Sequence, residues 1–241
     1  MQILFFDTET TDVENGRLIQ LAYKYPRGKQ IPEAYSFLYK PPVPISISAM
    51  AVHHITEEMV ENQPYFDSDK NLFQDLFDKH IMVAHNSPFD VGIMLNEGVT
   101  ISTHIDTRRV AQHLIDSPSY ALQYLRYHLR FKFDQPIKPH DALSDVIVLE
   151  ELFWYLFREC EAELAAQGKA REQATDQAAF DQEVLNEMLY YSKTPVLIKI
   201  MPFGKHKGLE MARVPKDYLQ WLNGQPELSE DLRYTLNHHL K

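Results

Sequence analysis

A chain of 241 residues, 44% apolar and 24% charged, has room for one generous domain or for a domain with a small appendage. Its single cysteine, Cys160, excludes a disulfide framework and a cysteine-rich zinc site. The net charge of −10 argues against a nucleic-acid partner, but it is uneven: residues 1–165 hold 14 basic and 24 acidic side chains, residues 200–241 hold 6 and 5.

In chain order, Gln2–Asp7 and Leu18–Tyr25 read as short buried strands and Glu33–Tyr39 as a third, ended by the proline-rich Lys40–Pro44. The run Ile3–Phe6 has no basic leader and stops at Asp7, so a signal peptide is not expected. Ile81–Ala84 and Ile101–Ile105 are further strand-like runs, each followed by a helical pattern. Three early strands followed by alternating strands and helices predict an α/β domain with a mixed sheet. A long helix is expected over Asp141–Ala166, with Ala142, Val146, Leu149, Phe153 and Leu156 on its apolar stripe. The polar Gln167–Gln182 reads as solvated helix or linker, and Glu183–Tyr191 is helical again. A tail unit follows, with a basic loop (FGKHKG, Phe203–Gly208) and two helical segments, the last striped by Leu228, Leu232, Leu236 and Leu240. The expected division is a main domain over 1–166, a helical linker over 167–195 and a small helical C-terminal unit over 196–241. No apolar run approaches the ~18 residues of a membrane span, so no membrane partner is expected and a cytoplasmic location is.

Several acids sit where acids are costly. Asp7 and Glu9 end the first strand, and residues two apart in a strand share a face, so their carboxylates project together and repel. Asp90 follows Ser87 and Pro88 in the pattern of a capping box, with Ser87 as N-cap, yet it shares a stripe with Ile93 and Met94. Asp145 lies inside the apolar stripe of the long helix, where an uncompensated charge costs several kcal/mol. His140 is five residues earlier, about 500° around a helix, so it joins Asp145 only from a loop ahead of the helix. Oxygen ligands without sulfur select hard cations, Mg²⁺ or Mn²⁺.

FFDTETTD (Phe5–Asp12), AHNSPFD (Ala84–Asp90) and HDALSD (His140–Asp145) resemble, in order and separation, the three motifs of the DEDDh, or DnaQ-like, 3′→5′ exonucleases. AVHHIT (Ala51–Thr56) and IDTRRVA (Ile105–Ala111) resemble two further segments of that family, and Asp12 stands where it usually has glycine. The tail, with FGKHKG, DYLQWL (Asp217–Leu222) and ELSEDLRYTLNHHL, resembles that of the family's bacterial exonuclease X branch. The resemblance implies a ribonuclease H-like fold, a mixed five-stranded sheet flanked by helices. It also implies two divalent cations held by Asp7, Glu9, Asp90 and Asp145, with Asp7 bridging them, and His140 as general base. Thr10, His53 and Phe89 fall where the family holds the terminal nucleotide. The implied activity is hydrolysis of DNA from 3′ ends, single-stranded or duplex, to nucleoside 5′-monophosphates, with a role in repair or turnover. RNA trimming and polymerase proofreading belong to the same family, since discrimination rests on contacts to the 2′-OH.

The acidic balance implies few phosphate contacts and distributive digestion. Tyr124–Lys132 mixes basic and aromatic residues and offers a strand-tracking edge; Tyr120, Tyr124 and Tyr127 at helical spacing read more readily as half-buried packing. FGKHKG either grips a phosphate backbone or docks the tail. Outside this family the alternatives are a catalytically silent nucleic-acid-binding module, separated by a metal-dependent nuclease assay, and a non-haem iron site opening on His104-Ile105-Asp106, which lacks a second histidine with supporting context.

Overall fold

The computed structural model describes residues 2–27, 34–168 and 176–241. Glu33 of the expected third strand and residues 169–175 of the expected linker lie outside them. The chain divides into two compact units, Met1–Ser192 and Lys193–Lys241.

In the first unit β1 (Gln2–Thr10), β2 (Leu18–Lys24), β3 (Ala34–Leu38), β4 (His80–Ala84) and β5 (His104–Asp106) form one sheet in the order β3-β2-β1-β4-β5. β1 runs antiparallel to β2 and parallel to β4, β2 and β3 are antiparallel, and β4 and β5 are parallel. The sheet is the mixed one expected. β1 is central and buried on both faces, which explains its unbroken apolar run. Ile3 and Phe5 enter one core and Leu4 and Phe6 the other.

The helices between strands are α1 (Ile47–His53), α2 (Glu57–Val60), α3 (Lys70–Asp78), α4 (Ser87–Asn96), α5 (Thr107–Leu114) and α6 (Leu122–His128). After β5 come α7 (Ala142–Ala166) and α8 (Gln177–Tyr191). α7 lies on β1 and β2, and its Phe153 meets Phe5 edge-on at 5.3 Å. Lys24 on β2 pairs with Glu150 of α7 at 2.9 Å, both side chains almost wholly buried. That pair and the aromatic contact fix α7 against the strands that carry the acids.

Three expectations change. α8 is not a linker: Phe180, Val184, Leu185, Met188 and Tyr191 are buried in the core of the first unit, so the boundary falls at residue 192 rather than 166. The polar residues at the start of α8 disguise a helix whose buried stripe starts only at Phe180. β5 is shorter than the run Ile101–Ile105 because Ile101 serves the other core from the preceding loop. On α6 the buried residue is Leu125, whereas Tyr124 and Tyr127 are 40% and 69% exposed and only Tyr120 packs on the core, from ahead of the helix.

The second unit holds α9 (Lys216–Asn223) and α10 (Glu230–Leu240), as the tail patterning predicts, with Leu228 packing from ahead of α10. Ser229 caps α10, accepting from the Leu232 N–H. No helix among the described residues is long and apolar enough to cross a membrane.

Candidate active site

Asp7 and Glu9 sit at the end of β1 on the parity of Ile3 and Phe5, the face covered by α7. The β1–β2 register shifts between Glu9 and Thr10, which pair with Gln20 and Leu18 and pass over Ile19. The turn beyond is tight: a Cβ on Gly16 would stand 2.1 Å from the Asp12 carbonyl oxygen, so only glycine fits there. Asp12, in place of the family's usual glycine, accepts the Val13 N–H on Oδ1.

Asp90 arrives from the opposite layer. Ser87 does not cap α4; Asn86 stands at the N-cap in the left-handed region (φ 69°). Asn86 is held there by its N–H to Asp106 and by Arg108 on its amide oxygen. Ser87 is fully buried and its hydroxyl meets His104 Nδ1 at 2.8 Å. Asp90 is thus released from local capping and accepts the Thr8 N–H (3.0 Å) and hydroxyl (2.7 Å) on one oxygen. His104 and Asp106 are consumed by these bonds and by Asp106 capping α5, as the strand-end reading of His104-Ile105-Asp106 requires.

Asp145 lies in the first turn of α7, 7% exposed. Gln123 Nε2 donates to its Oδ1 at 2.6 Å and the His140 N–H to its Oδ2 at 3.0 Å. His140 is exposed, in a left-handed turn (φ 60°) just before the Asp141 N-cap, so it does reach Asp145 from the loop. Ligand atoms of Glu9, His140 and Asp145 lie within 4.8 Å of one another.

Electrostatics bind Asp7 and Asp90 into the same cluster. Burial, then the charges of Asp90, Asp145, Glu9 and Asp141, push the Asp7 carboxyl well above the usual range. Glu9 rises to about 8 through burial and then Asp145, Asp90 and Asp141. Burial lifts Asp90 to about 7 against the opposing bonds from Thr8, and raises Asp145 against those from Gln123 and His140. None of the four pairs with a lysine or arginine among the described residues. Crowded carboxylates that pair with no lysine or arginine among the described residues are the donor set of a hard divalent cation, so the residues fit that group.

The expected substrate residues flank the acids. His53 is buried; its Nδ1 accepts the Ile55 N–H, which leaves Nε2 to donate to the Thr10 carbonyl at 3.2 Å. Burial lowers its pKa, in keeping with a ring that accepts on one nitrogen and donates on the other. Thr10 is buried, with its hydroxyl on the Asp12 carbonyl, and Phe89 is half-buried against the second core.

Sequence reasoning missed Thr8, Gln123 and Asp141. Thr8 carried a signal, since a β-branched polar residue between two acids on a buried strand needs a partner. Gln123 carried none, because its partner is 22 residues away.

The first 150 or so residues match the family described as "Exonuclease" (RNase T type), over residues 4–153. Residues 194–234 match one described as "Putative quorum-sensing-regulated virulence factor". Exodeoxyribonuclease 10 of Escherichia coli strain K12 is 27% identical, over 98% of this chain and 97% of its own. A PolC-type DNA polymerase III of Caldanaerobacter subterraneus is 27% identical over 63% of this chain and 11% of its own. The solved structure of exonuclease X with 5′-overhanging duplex DNA superposes with a TM-score of 0.53 at 26% identity, covering 65% of this chain and 91% of that one. E. coli exonuclease I with a dT13 oligonucleotide gives 0.57 at 17% identity, over 68% and 43%, a likeness of fold. With a ribonuclease H-like sheet, its acids gathered at one strand end and a family match over more than half its length, the chain belongs to the exonuclease family.

Proposed function

We propose that this chain hydrolyses DNA from 3′ ends, releasing nucleoside 5′-monophosphates, at the cluster of Asp7, Glu9, Asp90, Asp145 and His140. The observation that carries this reading is geometric: three separate elements bring acids to one strand end, where ligand atoms of Glu9, His140 and Asp145 lie within 4.8 Å of one another and Asp90 is bonded to Thr8, between Asp7 and Glu9. The four carboxylates would hold two Mg²⁺ or Mn²⁺ ions. Such a pair, when bound, lowers the pKa of water and offsets charge on the reacting phosphate.

The chain's own residues do the rest. His140 is exposed beside Glu9 and Asp145, and takes the proton from the attacking water on a ring nitrogen. Its N–H on Asp145 fixes the turn from which the ring swings. Thr8 keeps one Asp90 oxygen engaged, which sets the carboxylate's orientation. Phe89 offers a ring to the terminal base or ribose, and the Thr10–His53 pair shapes the floor beneath the sugar. Both His53 nitrogens are engaged within the protein, so it contributes shape and the Thr10 position rather than charge. Digestion is distributive, because an acidic surface holds product strands weakly.

The test is digestion of 3′-labelled single-stranded DNA, duplex DNA and RNA with Mg²⁺, beside Asp7→Ala. Mononucleotide release from DNA, lost in the variant, supports the reading. An unchanged rate in the variant refutes the site, and preferential release from RNA moves the substrate to RNA. Degradation of long strands from one binding event, measured with a trap, would contradict distributive action.

A further inference from the structure

The two units differ in charge as well as in fold. Residues 1–192 carry 16 basic and 29 acidic side chains, a net of −13, whereas 193–241 carry 8 and 5, a net of +3. The basic unit has a small core of Met201, Met211, Val214, Leu219, Leu222, Leu232 and Leu236. So small a unit is short of apolar burial. Yet it leaves Trp221 58% exposed and Phe203 45% exposed. Large rings left in water on a core-poor unit mark a contact face.

That face is built. The loop from Lys199 to Met211 folds back on itself, with Met201 N–H on Leu209 O (2.8 Å), Gly208 N–H on Met201 O (2.9 Å) and Met211 N–H on Lys199 O (2.8 Å). Gly204, at φ 75°, packs so closely on α9 that a Cβ would stand 2.5 Å from the Tyr218 hydroxyl. The His206 ring meets Tyr218 edge-on at 4.6 Å, and Tyr218 meets Trp221 at 5.3 Å. Lys205 and Lys207 are exposed on the loop beside this row of rings. The nearest acid in the sequence, Glu210, is paired with Arg213 at 3.0 Å.

We propose that this face is a second binding site, for single-stranded DNA, in which bases stack on Trp221 and the backbone phosphates lie on Lys205 and Lys207. Flat exposed rings and lysines match unpaired bases on an anionic backbone, whereas a duplex hides its base faces. The choice of DNA rests on the proposed function. The site gives a chain whose larger unit is acidic a positively charged face for a single strand.

The test uses the full chain in EDTA, where hydrolysis cannot intervene, titrated with a 20-residue oligothymidylate. The expected result is quenching of tryptophan fluorescence that Trp221→Phe abolishes, leaving Trp154 as the remaining tryptophan. Lys205→Ala/Lys207→Ala should weaken binding about tenfold and lower the salt slope by about 1.4, at ~0.7 per phosphate contact on single strands. With Mn²⁺, both variants should hydrolyse the p-nitrophenyl ester of thymidine 5′-monophosphate at the wild-type rate, since it is too short to reach a second site. Unchanged oligonucleotide affinity in both variants overturns the proposal. So does binding to phosphatidylserine vesicles without binding to the oligonucleotide. Oligonucleotide binding through these residues in a chain that hydrolyses neither substrate keeps the second site and removes the proposed function instead.

Discussion

The end of β1 and the turn ahead of α7 bring their groups to within a few ångströms by opposite routes. Asp7 and Glu9 are carried by the central strand, whose preceding residues Leu4, Phe5 and Phe6 are fully buried, so the backbone under the carboxylates cannot shift without disturbing both cores. His140 is exposed in a left-handed turn, a conformation that costs a non-glycine residue about 1 kcal/mol, and is tied down by one backbone bond to Asp145. The difference matches the tasks proposed for them. The groups proposed to hold cations stand on a rigid strand, and the group proposed to move a proton stands on an exposed turn.

The largest effect should come from the rigid side. Asp7→Asn removes the carboxyl that burial and then four neighbouring acids push up, and should lower turnover by at least 10³-fold, about 4 kcal/mol of lost charge stabilisation, in a steady-state nuclease assay. Its fold should survive, because the change removes a charge that burial penalises. Next comes the clamp behind the site: Glu150→Ala removes the carboxylate that faces the buried Lys24 ammonium, and should cost about 3 kcal/mol in urea unfolding. The turn side is held more lightly. Gln123→Ala frees one Asp145 oxygen and should reduce kcat about 10–100-fold with KM little changed, as removal of an outer partner of a ligand does.

The smallest effect sharpens the electrostatic half of the comparison. A carboxyl that titrates higher folded than unfolded takes up protons on folding. Its stabilising contribution is therefore complete below about pH 4 and is lost as pH rises towards 8, the value to which Glu9 is raised. In EDTA, Glu9→Gln should match the wild-type unfolding free energy near pH 4 and exceed it by pH 8.5, by ~1–2 kcal/mol after solvent screening. A difference that stays constant with pH would mean that the acids do not crowd one another.

The strand-end acids are legible only in combination: a strand running out into a polar turn explains Asp7 and Glu9 alone, and Asp90, His140 and Asp145 following in order make them candidates. Asp145 is the clearer signal, because a charge inside the apolar stripe of a helix needs compensation. Ser87 misled, since Ser-Pro-x-Asp fits a capping box, and only the tertiary bond to Thr8 shows where Asp90 turns. Gln123 and the burial of α8 depend on contacts between distant segments, which local patterning does not encode. The unit boundary shifted because Phe180 and its neighbours are diluted by polar residues along the helix.

The most direct test is calorimetric titration of Mn²⁺ into the full chain at pH 7.5, beside Asp7→Asn. The account predicts two ions per chain, with proton release as the raised carboxyls ionise, and loss of tight binding in the variant. A chain that takes up no Mn²⁺, or a variant that binds it as the wild type does, would contradict the claim that these four acids form a cation site.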